Sequence, residues 1–324
     1  MLSRRTALRA PVLLSSAAAR AQVTGFPNRP VRIVVPYPPG GPNDLVARAI
    51  ARGMSERWGK PVVVENRPGG AAGVVGTELV ARSEPDGHVL VLNGITHAIA
   101  PGLYPRLPYD AATDFTAVSL VGWAPLMLVV HPSIPATSVA ELIAHAKARP
   151  GRLSYASTGN GTSIHLATEM FLRGAGLDIL HVPYRGSAQA ITGLVANEVQ
   201  LMIEAVPSAW PHAREGRLRA LAITSLERWP ALPDLPTIAE SALPGFDAGI
   251  WWGVLGPANL PAPVLAELNT GVNASLQEPE TRQTLDRLGI QPIGTTPEAF
   301  EQRIRRDMDR FATLIREAGI RPPE

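Results

Sequence analysis

"VVPYPPGGPNDLVARAI", residues 34–50, runs from a β-branched stretch through a Pro/Gly-rich turn into a helical stripe. Leu45, Val46, Ala49, Ile50, Gly53 and Met54 share one face until Gly59 and Pro61 end it. The same unit follows at once: residues 62–64 lead through "ENRPGG" into a helix over 72–82, and "PDG" leads into a strand over 89–92. Short buried strands alternating with helices predict a mainly parallel sheet covered on both faces, the α/β class.

Beyond "VVHPSIPATS" (129–138) the pattern restarts. Ser138 and Glu141 form a capping box that opens a helix to about residue 149, followed by a strand over 153–156, the loop "STGNGTS" and a helix over 164–172. Residues 179–182 lead through "PYRGS" into a helix ending near Asn197; residues 199–203 lead through "EAVPS" into one ending at Gly216; residues 218–223 form another strand. The C-terminal part has a strand-like "GIWWGVLGP" and helices beginning near Pro263, Pro279 and Pro297, the last with Thr296 as N-cap and proline at N1. It carries no strand–turn–helix series of its own, so it is expected to pack back on the first unit. A chain of 324 residues, 45% apolar, exceeds one usual core. The division expected is residues 22–126 with 247–324 in one domain and 127–246 in the other, hinged near 123–130 and 245–253, with Trp251 and Trp252 packing the hinge.

The first 21 residues read as an export signal. Arg4, Arg5 and Arg9 precede a short apolar core over 12–19, and Ala19-Arg20-Ala21 is an A-x-A cleavage pattern, with cleavage expected after Ala21. The arginine pair fits a twin-arginine signal or an ordinary positive n-region of the Sec route, and either implies a periplasmic protein. Its removal takes four arginines and no acid, leaving 26 basic against 28 acidic residues. The whole-chain isoelectric point near 9.2 is therefore no sign of a nucleic-acid partner, and no basic run suggests one. The chain has no cysteine, which removes thiol catalysis and thiolate metal sites, and its seven histidines show no metal-binding spacing. No cofactor or metal is expected.

In open parallel sheets, ligands sit beyond the carboxyl ends of the strands, where turns present free backbone N–H groups and the positive end of a helix. "PYPPGGPND" is such a turn: Gly40 and Gly41 permit close approach, and Asn43 is placed to cap the helix beginning near Asp44. "STGNGTSIH" (157–165) is its counterpart in the second domain, with Gly159 and Gly161 for approach and Thr162 or Ser163 as cap. An anion would fit between them. Neither turn is a nucleotide cradle, since the chain contains no G-x-G-x-x-G and no Walker A motif.

Together "IVVPYPPGGPNDLVARAIA", "PVVVENRPGGAAGVVGTELVARSEPDGHVLVL", "LSYASTGNGTSIHLATEMF", "HVPYRGSAQAITGLVANEVQLMIEAVPSAWPHAREGRLRALAITS" and "GPANLPAPVLAELN" resemble the Bug family, the TctC-like receptors of tripartite tricarboxylate transporters. The resemblance implies the type II periplasmic binding protein fold, a Venus flytrap of two α/β domains with two crossing segments. It also implies a grip on one ligand carboxylate by both turns, through backbone N–H groups, hydroxyls and waters. In the first domain the implied contacts are Tyr37, Pro38, Gly40, Gly41, Asn43 and Asp44; in the second, Ser157, Asn160, Gly161, Thr162 and Ser163. Tyr37 stands where the family more often has Phe, and Asn43 where it has Thr. Ligand closure would precede docking on membrane subunits of the transporter, or on a sensor protein, by a monomeric receptor.

The remaining turns add Thr96 and His97, Tyr184 and Arg185, and Glu204. A lone histidine often serves structure, Arg185 could instead hold its own loop, and Glu204 could select a ligand amine or hydroxyl or make a structural hydrogen bond. Glu204 precedes Ala205, where the family commonly has Asp followed by Asn. Two other classes share parts of this pattern: an exported ligand sensor and an α/β hydrolase, although no G-x-S-x-G elbow is present.

Overall fold

The computed structural model describes residues 25–322; the export signal and its cleavage point lie outside the described residues. Strands β1 (Val31–Val35), β2 (Val62–Asn66) and β3 (Val89–Gly94) are parallel, and each is followed by a helix: α1 (Pro42–Trp58), α2 (Val74–Ala81) and α3 (Thr96–Leu103). The next element is β4 (Phe115–Val130), 16 residues long. A second parallel trio follows, with its helices: α4 (Val139–Lys147), β5 (Ser154–Ser157), α5 (Ser163–Ala175), β6 (Leu180–Pro183), α6 (Ser187–Val195), β7 (Leu201–Ala205) and α7 (Val206–Arg214). The chain returns through β8 (Arg219–Ile223), α8 (Ile238–Ser241) and β9 (Gly249–Pro257), and ends with α9 (Ala262–Ser275), α10 (Pro279–Arg287), β10 (Gln291–Pro292) and α11 (Pro297–Ala318).

The strand order is β2-β1-β3-β9-β4-β7-β5-β6, with β8 and β10 also on β4. The two trios are parallel, but β4 and β9 run antiparallel between them and join both lobes into one ten-stranded sheet. Alternation of strands and helices does not announce these two. In β4, Gly122 and Pro125 interrupt the apolar run, and its length is bought by having two different partners in succession. Residues 115–125 pair with β9, and residues 126–130 pair with β7 and β8.

Thr224 secures this change of partner. Its hydroxyl accepts the Leu126 N–H at 2.7 Å and donates to the Ala248 carbonyl at 2.7 Å, while the Ala248 N–H donates to the Thr224 carbonyl at 3.0 Å. One fully buried threonine therefore ties both crossing segments together. Thr224→Val keeps the shape but strands the Leu126 N–H, so a loss of about 1–3 kcal/mol is expected in urea unfolding.

Residues 126–248 build the core of lobe 2, around Met127, Tyr155, Phe171 and Met202. Lobe 1 has a core on each face of its sheet. One contains Ile33, Ile50, Met54 and Leu268; the other contains Val34, Ile99, Trp251, Phe300 and Phe311, and Leu166 of α5 joins it from lobe 2. Because side chains alternate along a strand, Trp251 and Trp252 point to opposite faces of β9. Trp251 donates its indole N–H to Asp307 of α11 at 2.9 Å, and Trp252 donates to Asn43 of α1. The pair fastens β9 to both helical layers of lobe 1. Helix α11 starts on the Thr296 hydroxyl, which accepts the Ala299 N–H, and ends on left-handed Gly319. Its stripe of Phe300, Ile304, Phe311, Leu314 and Ile315 is buried, and the acid within it, Asp307, is matched by Trp251 and by Arg303 at 2.7 Å.

Candidate functional site

Between the lobes lies a cavity of about 430 Å³, within the range of small-molecule sites. Ala72, Thr96, Ile99, Ala100, Leu103 and Tyr104 line it from lobe 1, and Thr158, Asn160, Gly161, Thr162 and Ser163 from lobe 2. No charged side chain is among them. The N-termini of α3 and α5 both reach this wall, and Ser163 and Ile95, at those two ends, share a smaller neighbouring void. The first amides of a helix have no intrahelical acceptor, so each end offers N–H groups and partial positive charge to an anion.

The lobe 2 turn is held from below. Thr162 caps α5 by accepting the His165 N–H, and its own hydroxyl donates to the Gly159 carbonyl at 2.9 Å. Ser157, fully buried, accepts the Gly159 N–H at 3.1 Å and lies 2.6 Å from Nε2 of His181. His165 accepts the Gly161 N–H on Nδ1 at 3.0 Å. The two imidazoles stack at 4.0 Å, and Tyr155 stacks on His181 at 4.7 Å. Burial keeps both imidazoles neutral: His165 is pushed down to about 3, helped by neighbouring His181, and His181 to about 4. Neutral rings are what the geometry needs, since a protonated Nδ1 could not accept from Gly161.

The structure corrects one part of the expectation for the first-domain turn, the residue that caps its helix. Gly41, not Asn43, is the N-cap of α1, and Asn43 lies within the helix with its side-chain oxygen taken by Trp252. Asp44 is buried and accepts the Gly40 N–H and the Arg48 guanidinium, each at 2.9 Å. Burial would raise its pKa, but Arg48, Gly40 and Asn66 together hold it below the usual carboxylate range. Gly40, at φ 85, supplies the left-handed turn that aims its N–H at Asp44. Pro38 is exposed, and the Tyr37 hydroxyl donates to Asn93 at 3.2 Å, its pKa raised by burial. None of Tyr37, Pro38, Gly40, Gly41, Asn43 or Asp44 lines the cavity; α3 and Ala72 stand there instead.

Other candidates divide similarly. Thr96 lines the cavity, whereas His97 is 2% exposed, sits edge-on to Phe115 and places Nε2 3.1 Å from the Ala111 carbonyl. Burial lowers its pKa to about 4 and keeps the ring neutral. Asn160, Gly161, Thr162 and Ser163 line the cavity, and Ser157 lies beneath them. Tyr184 donates to Glu198, and Arg185 is exposed, both away from the lining. Glu204 accepts from Ser187 at 3.1 Å and from the Ala205 N–H at 2.8 Å, with Oε2 buried and unpartnered. Burial raises its pKa to about 7 against those two donors. It supports the α6 end of lobe 2 and does not line the cavity.

Sequence reasoning missed Ala72, Ile99, Ala100, Leu103, Tyr104 and Thr158. Helix α3 was masked by Pro101 in its last turn, although Ile95, Ile99 and Leu103 keep i, i+4 spacing. Ala72 lies at φ 56, a left-handed position for which a non-glycine residue gives no sequence cue.

The sequence pattern of the tripartite tricarboxylate transporter family receptor matches residues 46–320. Protein BugT of Bordetella pertussis is 37% identical over 314 residues, covering 96% of this chain and 96% of that protein. A solved structure of an R. palustris protein with adipate is 37% identical, with a TM-score of 0.75 over 92% of this chain and 100% of that one. MatC from Rhodopseudomonas palustris with bound malate is 33% identical, with a TM-score of 0.71 over 90% of this chain and 100% of that one. The chain belongs to the tripartite tricarboxylate transporter receptor family.

Proposed function

We propose that this family member is a periplasmic receptor, exported by the Sec or twin-arginine route, that closes lobes 25–125 with 249–322 and 126–248 over a small carboxylate. The single observation that carries this is the interlobe cavity of about 430 Å³, at which two helix N-termini converge without any charged side chain. An anion held there is neutralised by oriented amides and hydroxyls, and only the closed form brings both walls to it. Among the described residues no helix is long and apolar enough to cross a membrane. The partners proposed for delivery are membrane subunits of a tripartite transporter or a sensor protein.

A melting-temperature screen of the chain from residue 22 tests the reading. At about a hundred times its dissociation constant, a carboxylate ligand adds ~2.7 kcal/mol, a shift of several degrees. Neutral analogues are expected to give none, and stabilisation by neutral compounds alone would overturn the assignment.

A further inference from the structure

A second recess, of about 490 Å³, opens between the C-terminal halves of α5 and α11, with residues 243–246, which lead from α8 into β9, as its third wall. It shares no lining residue with the cavity; the smaller void links the two, through Ser163 on one side and Met170 and Arg310 on the other. Two guanidinium groups reach the recess from opposite lobes, Arg173 of α5 and Arg310 of α11. Arg310 is half-buried and donates to the Asp247 carbonyl at 2.7 Å, and among the described residues no carboxylate pairs with it. Asp307, one turn before it, is taken by Trp251 and Arg303. Burial lowers the Arg310 pKa even though Asp307 and Asp247 act to raise it, so its charge is poorly compensated. Arg173 stands 3.7 Å from Glu169, beyond hydrogen-bond length.

We infer that this recess is a second binding site, outside the one proposed for the transported ligand, and that it takes a small organic carboxylate with an apolar body. A partly buried guanidinium is costly without an anion, and a carboxylate supplies the missing partner through charge-assisted hydrogen bonds. Arg173 faces it from the other lobe, and Thr313 adds a hydroxyl one turn beyond Arg310. The walls around these groups are apolar, with Met170 on α5, Leu243 and Phe246 on the crossing segment and Leu314 on α11, so burial of apolar ligand surface adds to the charge. Glu317 is the one acid in the lining. It lies two helical turns from Arg310, ~10 Å along the axis of α11, far enough to leave the anion its place and near enough to weaken it.

The test is calorimetric titration of the chain from residue 22 with phenylbutyrate, and with phenylbutanol as its neutral counterpart, in the wild type and in four variants. Phenylbutyrate is expected to show a binding event that Arg310→Gln weakens at least tenfold, Glu317→Gln tightens and Gly161→Val, in the cavity wall, leaves in place; phenylbutanol is expected to show none. The opposite signs at Arg310 and Glu317 separate an anion site from a patch that merely holds apolar molecules. An event lost in Gly161→Val and unchanged in Arg310→Gln would belong to the cavity, overturning this inference while leaving the receptor reading standing. No binding of phenylbutyrate, or equal binding of the alcohol, would also overturn it, and the melting-temperature screen would still decide the receptor reading. Arg173 and Glu317 are exposed, so if Arg310→Gln does not fold, Arg173→Gln and Glu317→Gln carry the test: weaker binding in the first and tighter in the second is expected, and no change in either overturns the inference.

Discussion

Replacing Gly161 with valine is expected to lower ligand affinity about a hundredfold or more, while the circular dichroism spectrum stays that of the folded protein. Gly161 sits at φ 70, and a Cβ there would lie 2.5 Å from Cδ1 and 3.1 Å from Cδ2 of Leu103 in the opposite lobe. Two penalties follow, and they act on different states. Left-handed backbone strain, ~1–3 kcal/mol for a β-branched residue, is borne whether the lobes are apart or together and appears as a lower melting temperature. The clash with Leu103 lies between the lobes, so it opposes their close approach and is expected to appear in binding. A closure penalty of about 2.7 kcal/mol is a hundredfold in affinity. Titration of Gly161→Val with Leu103→Ala separates the two: the double variant should recover much of the affinity and none of the stability, because the coupled pair shares the clash alone. Unchanged affinity in the single variant would place the ligand away from this turn.

Acidification from pH 7 to 4 is expected to remove several kcal/mol of stability from the ligand-free protein. His97, His165 and His181 are held neutral in the folded state, with pKa values pushed to about 4, about 3 and about 4, against ~6.5 when unfolded. A depressed histidine pKa means that the unfolded chain takes up the proton first. Stability is therefore complete above pH ~6.5 and is lost progressively as pH falls towards the folded value. For the two most buried, His97 and His165, the loss is on the order of 3 kcal/mol each at pH 4 as an upper figure. Glu204 acts in the opposite sense. Its pKa is raised to about 7, so its burial costs stability as pH rises through 7 and that cost is relieved as pH falls. The net effect is a loss, read from urea unfolding at pH 7, 5.5 and 4. His97→Phe should flatten the curve without touching affinity, whereas His165→Phe should flatten it and weaken binding, because the Gly161 N–H loses its acceptor. A stability that did not fall with pH would mean that these rings are protonated in the fold.

Helix boundaries were legible wherever the signal is local. Ser138, Thr162 and Thr296 cap the helices their sequence positions predict, and Gly59 and Gly319 end theirs in the left-handed conformation. The lobe 2 half of the cavity was legible for the same reason: "STGNGTS" contains its own turn glycines, its cap and the first turn of α5. The lobe 1 wall of the cavity was less legible. The Gly/Pro-rich turn before α1 lies outside the cavity lining, with its Gly40 N–H on Asp44 and its Asn43 side-chain oxygen on Trp252.

The sequence by itself determined the alternation of strands and helices and the helix caps, because each depends on residues a few positions apart whose backbone preferences and side-chain periodicity act locally. Tertiary structure alone decided which donors remain free and what faces the cavity. Asn43 is spent on Trp252, 209 residues away, and Leu103 of α3, not the glycine turn of lobe 1, meets Gly161. Burial and hydrogen-bond satisfaction are properties of neighbours in space, and β4, by changing partners at Pro125 and Leu126, brings those neighbours together from opposite ends of the chain.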